Sequence, residues 1–359
     1  MKAAPRNIRS MSDEELETWL SESGEPRFRA RQIQEWLWGK NVSDFESMSN
    51  LPAGLRDKLK REFVIRHLTV EKTAFSRDGT IKSAYRLLDG KIIEGVLIPT
   101  PQRITACISS QAGCSLNCAF CATAALKMMR NLGADEIYDQ VVLARNQALE
   151  ILRRPLTNVV FMGMGEPLLN YKNVLRALSL LQARFGLAMG AHRFTLSTAG
   201  ITKMILRLAE DGVPCKLAVS LHSAIPEKRT RLMPINESNP LKDLRSALIY
   251  YTSKIGRPVT LEYLMLKNVN DQMEDAHALL KFAKSFPCKI NLIEYNTVPS
   301  MPFEPSPSEQ IDTFQQFLKK HGLIATLRKS RGKDIEAACG QLAGQLLPES
   351  VQHKSLPVH

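Results

Sequence analysis

Residues 105–123 read Thr-Ala-Cys-Ile-Ser-Ser-Gln-Ala-Gly-Cys-Ser-Leu-Asn-Cys-Ala-Phe-Cys-Ala-Thr, and their core is Cys114-x3-Cys118-x2-Cys121. Three thiols this close in sequence can converge on one small object, and their number is informative. A cubane iron–sulfur cluster held by three thiolates keeps one iron without a protein ligand, free to bind another molecule. A closed structural zinc site needs four ligands, usually two Cys-x2-Cys pairs or a Cys pair with a His pair. No second pair follows here, and the nearest histidine is His67. An open iron–sulfur site, a zinc completed by a remote residue, and reduced structural cysteines all fit the spacing.

Outside that stretch the chain has the bulk of an ordinary globular enzyme. Its 359 residues suffice for two to three domains, with 44% hydrophobic and 23% charged residues. A formal charge of +12 points toward a polyanionic partner such as nucleic acid. No apolar run reaches the roughly 18 residues that span a bilayer. The start, Met-Lys-Ala-Ala-Pro-Arg-Asn, lacks the apolar core of a secretory signal. Seven cysteines is an odd number and argues against a disulfide framework, so the expected compartment is the reducing cytoplasm.

Residues 1–70 predict a small helical domain, with apolar residues at helical spacing over 14–20, 29–38 and 55–63. Trp36 and Trp38 fit its core. Arg27, Arg29, Arg31, Lys40, Arg56, Lys58, Lys60, Arg61 and Arg66 lie near these aromatics, which suits an RNA-docking face or a solvated charged one. Residues 71–103 alternate polar and apolar around Asp78-Gly79 and Asp89-Gly90, the pattern of a short β-hairpin linker. Glu94 lies on its last strand.

From residue 104 the rhythm changes. Strand-like runs at 105–110, 158–163, 193–198, 215–221, 259–266, 289–295 and 323–328 alternate with helical stretches at 134–152, 172–185, 201–211, 241–255, 271–285 and 308–320. Such alternation implies an α/β fold whose parallel sheet closes into a full or partial barrel. Its site then lies at the C-terminal ends of the strands, and the cysteine loop follows the first of them. Polar groups recur at those ends: Gly163-Met164-Gly165-Glu166-Pro167, Ser197-Thr198, Ser220-Leu221-His222-Ser223 and Asn296. Singly, each reads as a cap or a satisfied loop group. Together they describe a pocket for a polar, zwitterionic cofactor beside the cysteines. Cys215 and Cys288 match no motif and read as core.

With Phe120 before the last cysteine and the glycine–glutamate strand end, the chain resembles the radical S-adenosylmethionine (SAM) superfamily, and within it the RlmN/Cfr group of RNA adenine methyltransferases. Further runs carry the resemblance: Ser109 to Cys114, Val219-Ser220-Leu221-His222, Met233-Pro234-Ile235-Asn236, Glu262-Tyr263-Leu264-Met265 and Arg331 to Leu342 with its Ala-Ala-Cys-Gly-Gln-Leu element. The likeness covers nearly the whole chain. One loop departs from it: Thr123 to Leu132 lacks a glycine after the threonine and a glycine–aromatic pair before Arg-Asn-Leu.

The resemblance implies a partial (β/α)6 TIM-like barrel over 104–345, a helical RNA-binding domain over 1–70 and a flexible tail over 346–359. It implies a [4Fe-4S] cluster on Cys114, Cys118 and Cys121, and two SAM molecules per turnover. The SAM contacts would be Gly165, Glu166, Ser197, Ser220, Leu221, His222 and Asn296. The substrate would be carbon 2 of adenine, at adenosine 2503 of 23S rRNA and adenosine 37 of tRNAs. That carbon lies between two ring nitrogens and is too electron-poor to attack a sulfonium methyl group, so a radical route is chemically reasonable. In the family one SAM methylates a cysteine, matched here by Cys339, and a second generates the radical that activates the methyl group. The tethered product is released by a disulfide to a second thiol, matched by Cys107, and the ring proton goes to a base, matched by Glu94. An electron donor such as flavodoxin or ferredoxin and a monomeric enzyme also follow. Arg328-Lys329-Ser330-Arg331 would hold RNA phosphates. Two alternatives stay open: carbon-8 methylation of the Cfr type, and a non-catalytic zinc- or RNA-binding module.

Overall fold

The computed structural model describes residues 5–299 and 301–343. The expected tail 346–359 and the last two residues of the 104–345 span lie outside the described residues.

The N-terminal region forms helices where the sequence predicts them: α1 (Asp13–Glu22), α2 (Phe28–Gln34) and α3 (Ala53–Glu62). Ser12 opens α1 with a capping box: its hydroxyl accepts from the Glu15 amide while the Glu15 carboxylate accepts from the Ser12 amide. The continuous helix expected over 29–38 is in fact two geometries, because α2 runs into a wider π turn at Glu35–Gly39. That turn buries Leu37 and Trp38 and leaves Trp36 half-buried under the Lys40 ammonium, 3.4 Å from the ring centroid.

Ten strands then form one sheet in simple sequence order. β1 (Thr69–Phe75), β2 (Ile81–Arg86) and β3 (Ile92–Pro99) pair antiparallel, turning at Asp78-Gly79 and Asp89-Gly90. Gly79 and Gly90 take the left-handed φ values, +83° and +82°, that these tight turns demand. β3 pairs antiparallel with β4 (Ile104–Cys107), so the hairpin segment joining the two regions also continues the barrel sheet. From β4 onward every neighbour is parallel: β5 (Asn158–Phe161), β6 (Phe194–Thr198), β7 (Lys216–Ser220), β8 (Val259–Met265), β9 (Cys288–Glu294) and β10 (Ala325–Arg328). The crossovers are α4 (Ala134–Glu150), α5 (Tyr171–Gln182), α6 (Thr202–Glu210), α7 (Leu241–Ile255), α8 (Met273–Ala283) and α9 (Ser308–Lys320). Six crossovers with an open edge at β10 make the partial barrel that the sequence implies. The central strands are near-continuous apolar runs because helices and barrel interior cover both faces, as in Val259–Met265, buried at six of seven positions.

The N-terminal domain is fastened to α4. Arg9, fully buried, grips both carboxylate oxygens of Asp139 at 2.6 and 2.8 Å and stacks over Trp38 at 4.7 Å. Trp38 meets Tyr138 edge-on at 5.0 Å. Burial raises the Asp139 pKa, but Arg9 and His67 overcome it and hold the carboxyl below its usual range. Removing one partner strands a buried charge, so Arg9→Met is expected to cost about 3–5 kcal/mol in denaturant unfolding. Because the folded pKa lies below the unfolded value of about 3.9, the pair's contribution is intact above that pH and is lost as pH falls through the folded pKa. A loss under about 1 kcal/mol, the size of a surface pair, would contradict the buried geometry.

Candidate active site at the barrel mouth

The C-terminal ends of the parallel strands open onto one cavity, where most of the predicted residues converge. Cys107 ends β4, and Cys114, Cys118 and Cys121 lie on the loop that follows. Gly165 and Glu166 enter after β5, Ser197 at the end of β6, and Ser220 and His222 at the end of β7. Cys339 arrives from the opposite side on the segment after β10. All seven cysteines are free thiols.

Leu116 and Phe120 of the cysteine loop join Leu232, Met233, Leu264 and Tyr295 in a second apolar cluster, and all three loop cysteines pack against it. That desolvation pushes the Cys114 thiol up to about 11 and the Cys118 thiol higher still. Such buried thiols ionise when a metal takes the proton's place. Among the described residues no group of three His, Cys, Asp or Glu is arranged to hold a single metal ion. Cys114, Cys118 and Cys121 instead surround a shared space in which Cys118 senses the charge of both others. One tetrahedral ion draws its ligands tightly together, whereas a cluster spreads them over its corners. The donor set fits a polynuclear cluster.

The glycine–glutamate turn is shaped by close packing. Gly165 holds φ at +93°, and a Cβ there would lie 2.4 Å from the Gln111 Cβ. The Gln111 amide oxygen accepts from the Glu166 backbone N–H at 2.8 Å, which fixes the turn. The Glu166 carboxylate accepts from the backbone N–H groups of Ala199 (2.7 Å) and Leu168 (3.0 Å). Burial nevertheless raises its pKa to about 7. His222, with φ of +55°, accepts the Leu264 N–H on Nδ1 at 3.1 Å. Burial first, and then Arg229, lower its pKa to about 3, so the ring is neutral with its proton on Nε2. Phe120 packs edge-on against it at 4.7 Å.

Three predicted residues stand off the cavity. Leu221 is fully buried in the main core. Asn296 lies behind the Cys339 segment: its Nδ2 donates to the Cys339 carbonyl at 3.4 Å, and its buried Oδ1 has no partner. That orphaned acceptor suits a ligand's donor. Glu94 is buried between Lys82 (2.9 Å) and the Ala343 N–H (2.8 Å).

Residues 332–343 form a strap tied down on both sides of the mouth. Asp334 accepts from Ser76 (2.6 Å), and Asp78 accepts from the Gly332 N–H (3.0 Å). Lys82 donates to the Glu336 carbonyl (3.1 Å). Across the cavity, the Ala122 N–H donates to the Gly340 carbonyl (2.7 Å) and the Thr123 hydroxyl to the Leu342 carbonyl (2.6 Å). The strap thereby sets Cys339 directly against the cysteine loop. In the loop over 123–132, Arg130 and Asn131 pair with Ala112 and Gln111, and Arg130 is gripped by Glu136 and Asp89.

Two arginines come to the site that sequence reasoning did not place there. Arg229 is buried beside Cys118, donating to the Ala199 carbonyl (2.7 Å) and to Asn236 (2.9 Å), and burial lowers its pKa to about 10. Arg328, expected on the RNA-facing surface, turns inward and lines the cavity, its Nη1 3.6 Å from the Met162 sulfur. The end of β10 points into the barrel mouth at that register, which a local basic run does not reveal.

The fold and site have counterparts among known proteins. Residues 6–65 match the ribosomal RNA large subunit methyltransferase N-terminal domain, and residues 108–280 match the radical SAM superfamily. A probable dual-specificity RNA methyltransferase RlmN of Christiangramia forsetii is 50% identical over 96% of this chain and 98% of its own length. The chain belongs to the RlmN family of radical SAM RNA methyltransferases. The corresponding protein of Flavobacterium psychrophilum is 48% identical, over 96% of this chain and 99% of its own. The crystal structure of a radical SAM methyltransferase from Sphaerobacter thermophilus superposes with a TM-score of 0.88 at 41% identity, covering 95% of this chain and all of that one. This is therefore a SAM-dependent RNA methyltransferase with a [4Fe-4S] cluster, and the N-terminal match places the helical domain within the same family. No helix among the described residues is long and apolar enough to cross a membrane.

Proposed function

We propose that this enzyme methylates carbon 2 of adenine in RNA, at adenosine 2503 of 23S rRNA and adenosine 37 of tRNAs, through a methylated Cys339 and a transient Cys107–Cys339 disulfide. One observation carries the reading: Cys107 and Cys339, from opposite ends of the barrel domain, line the same cavity as the three loop cysteines. The relatives' description as dual-specificity RNA methyltransferases supports the two RNA substrates.

When bound, the cluster supplies one electron and an open iron, and SAM supplies the methyl carbon. Cys114, Cys118 and Cys121 would hold three irons, leaving the fourth for SAM. Glu166, with both oxygens on backbone N–H groups, is fixed as an acceptor for an ammonium group. Neutral His222 offers its Nε2 proton. Cys339 carries the methyl carbon on sulfur, and the strap presents that sulfur to the base. The Cys107 sulfur would then bond to the Cys339 sulfur as the carbon–sulfur bond breaks, its electron pair and a proton passing to the released methyl carbon. Glu94, whose oxygens meet Lys82 and the Ala343 N–H, would receive the ring proton on a remaining lone pair. The electron would come from a small redox protein such as flavodoxin or ferredoxin, with the enzyme acting as a monomer. RNA phosphates would meet the N-terminal face, where Phe28 is 59% exposed beside the exposed Arg27 and Arg31.

Nucleoside mass spectrometry of rRNA and tRNA from a deletion strain tests the reading. Loss of 2-methyladenosine from both is the expected result. Its persistence, or loss of 8-methyladenosine instead, would overturn the assigned carbon.

A further inference from the structure

We infer that Arg328 is a positioning residue that holds the charge of the Cys107 sulfur when that thiol ionises inside the cavity. The two residues end strands far apart in the sheet: five strands lie between β4 and β10. The curve of the barrel brings both ends to Met162, just after β5. The Arg328 guanidinium donates to the Met162 sulfur at 3.6 Å, and the Cys107 sulfur faces the Met162 backbone N–H.

Few other charges face this point. The charged or titratable non-cysteine side chains lining the cavity are Glu166, His222, Glu262 and Arg328. Glu166 is engaged by two backbone N–H groups and His222 is neutral. Glu262, on β8, accepts from Asn291 at 2.9 Å on one oxygen, has no hydrogen-bond partner on the other, and feels the Arg328 charge. Cys339 faces Cys107 from the strap, and its charge would oppose ionisation of Cys107. Arg328 lies within electrostatic reach of Cys339, Glu262 and Cys107. It is the one arginine or lysine among the residues lining the cavity, and its charge is shared among those three groups.

The balance of forces gives that charge a purpose. Burial, reinforced by Cys339, pushes the Cys107 thiol up to about 12, while Arg328 pulls it down. The thiol therefore rests protonated at neutral pH. A thiolate is nonetheless the reactive form in disulfide chemistry. Cys107 loses its proton to water, and the guanidinium stabilises the remaining charge in a low-dielectric site. No other bond changes in this step.

The inference rests on reading Cys107 as the resolving thiol, and the two can fail separately. Cluster-loaded enzyme is alkylated anaerobically with iodoacetamide across pH 7 to 9.5, as an order-of-magnitude span around the usual thiol pKa. Labelling of the Cys107 peptide is followed by mass spectrometry. Arg328→Met is expected to slow labelling of Cys107 about tenfold at each pH, equivalent to one pKa unit. Arg328→Lys should restore most of the rate, and Cys288, outside the cavity, should label equally in all three proteins. An unchanged Cys107 rate in R328M, or a loss that R328K does not restore, overturns the inference. If Cys107→Ala enzyme instead releases methylated RNA normally, the resolving role fails while the alkylation result stands.

Discussion

Replacing Cys339 with alanine is expected to abolish RNA methylation, by about four orders of magnitude or more, while leaving the iron content intact. The size follows from removing a covalent carrier: without the sulfur there is nothing to hold the methyl carbon, and no parallel route is built into the site. Cys339 is exposed and lines the cavity, and the surrounding protein raises its pKa. No other strap residue carries a nucleophile at that point; its neighbours are Ala337, Ala338 and Gly340. The strap is held by backbone and side-chain bonds that do not involve the Cys339 thiol, so the variant keeps its fold. Transfer of labelled methyl groups to RNA measures the loss, and iron analysis is the control. Methylation at more than a few per cent of the parent rate would remove Cys339 from the pathway. The same assignment requires the Cys339 peptide from cells to carry a methyl group on sulfur.

Much of this arrangement is legible in the sequence because its signals are local and periodic. The seven parallel strands fall within three residues of their expected bounds, since each is a buried apolar run between helices of 3.6-residue spacing. The cysteine loop and Gly165-Glu166 are likewise local, and a strand's C-terminal end in such a barrel has only one place to point. Arg328 was not legible. It sits in a basic run with Lys329 and Arg331, and only the register of β10 against β9, Arg328 opposite Ile293, turns it inward. Asn236 shows the same limit: its motif was visible, but its task, holding buried Arg229, matters only because the fold sets that arginine beside Cys118. Glu94 is the opposite case. The sequence places it on a strand beside the site, but the long-range contacts of Lys82 and Ala343 decide what its carboxylate touches.

Replacing Cys107 with alanine is expected to leave the enzyme covalently attached to its RNA. Cys107 is buried, and trading a thiol for a methyl group there costs on the order of 1 kcal/mol, too little to unfold a domain of this size. Every earlier event remains available to the variant: the cluster ligands, the Glu166 turn and the Cys339 strap are untouched. The carbon–sulfur bond to Cys339 is a thioether, which has no leaving group of its own until a second thiol takes the sulfur into a disulfide. Among the cavity-lining residues the remaining thiols are the loop cysteines, which the cluster occupies. The adduct should therefore accumulate as a band on a denaturing gel that carries both protein and RNA, with release slowed by about a hundredfold or more. The double variant Cys107→Ala/Cys339→Ala should form no such band, which locates the attachment on Cys339. Free methylated RNA appearing at the parent rate from the single variant would show that the two sulfurs share a cavity without sharing a reaction.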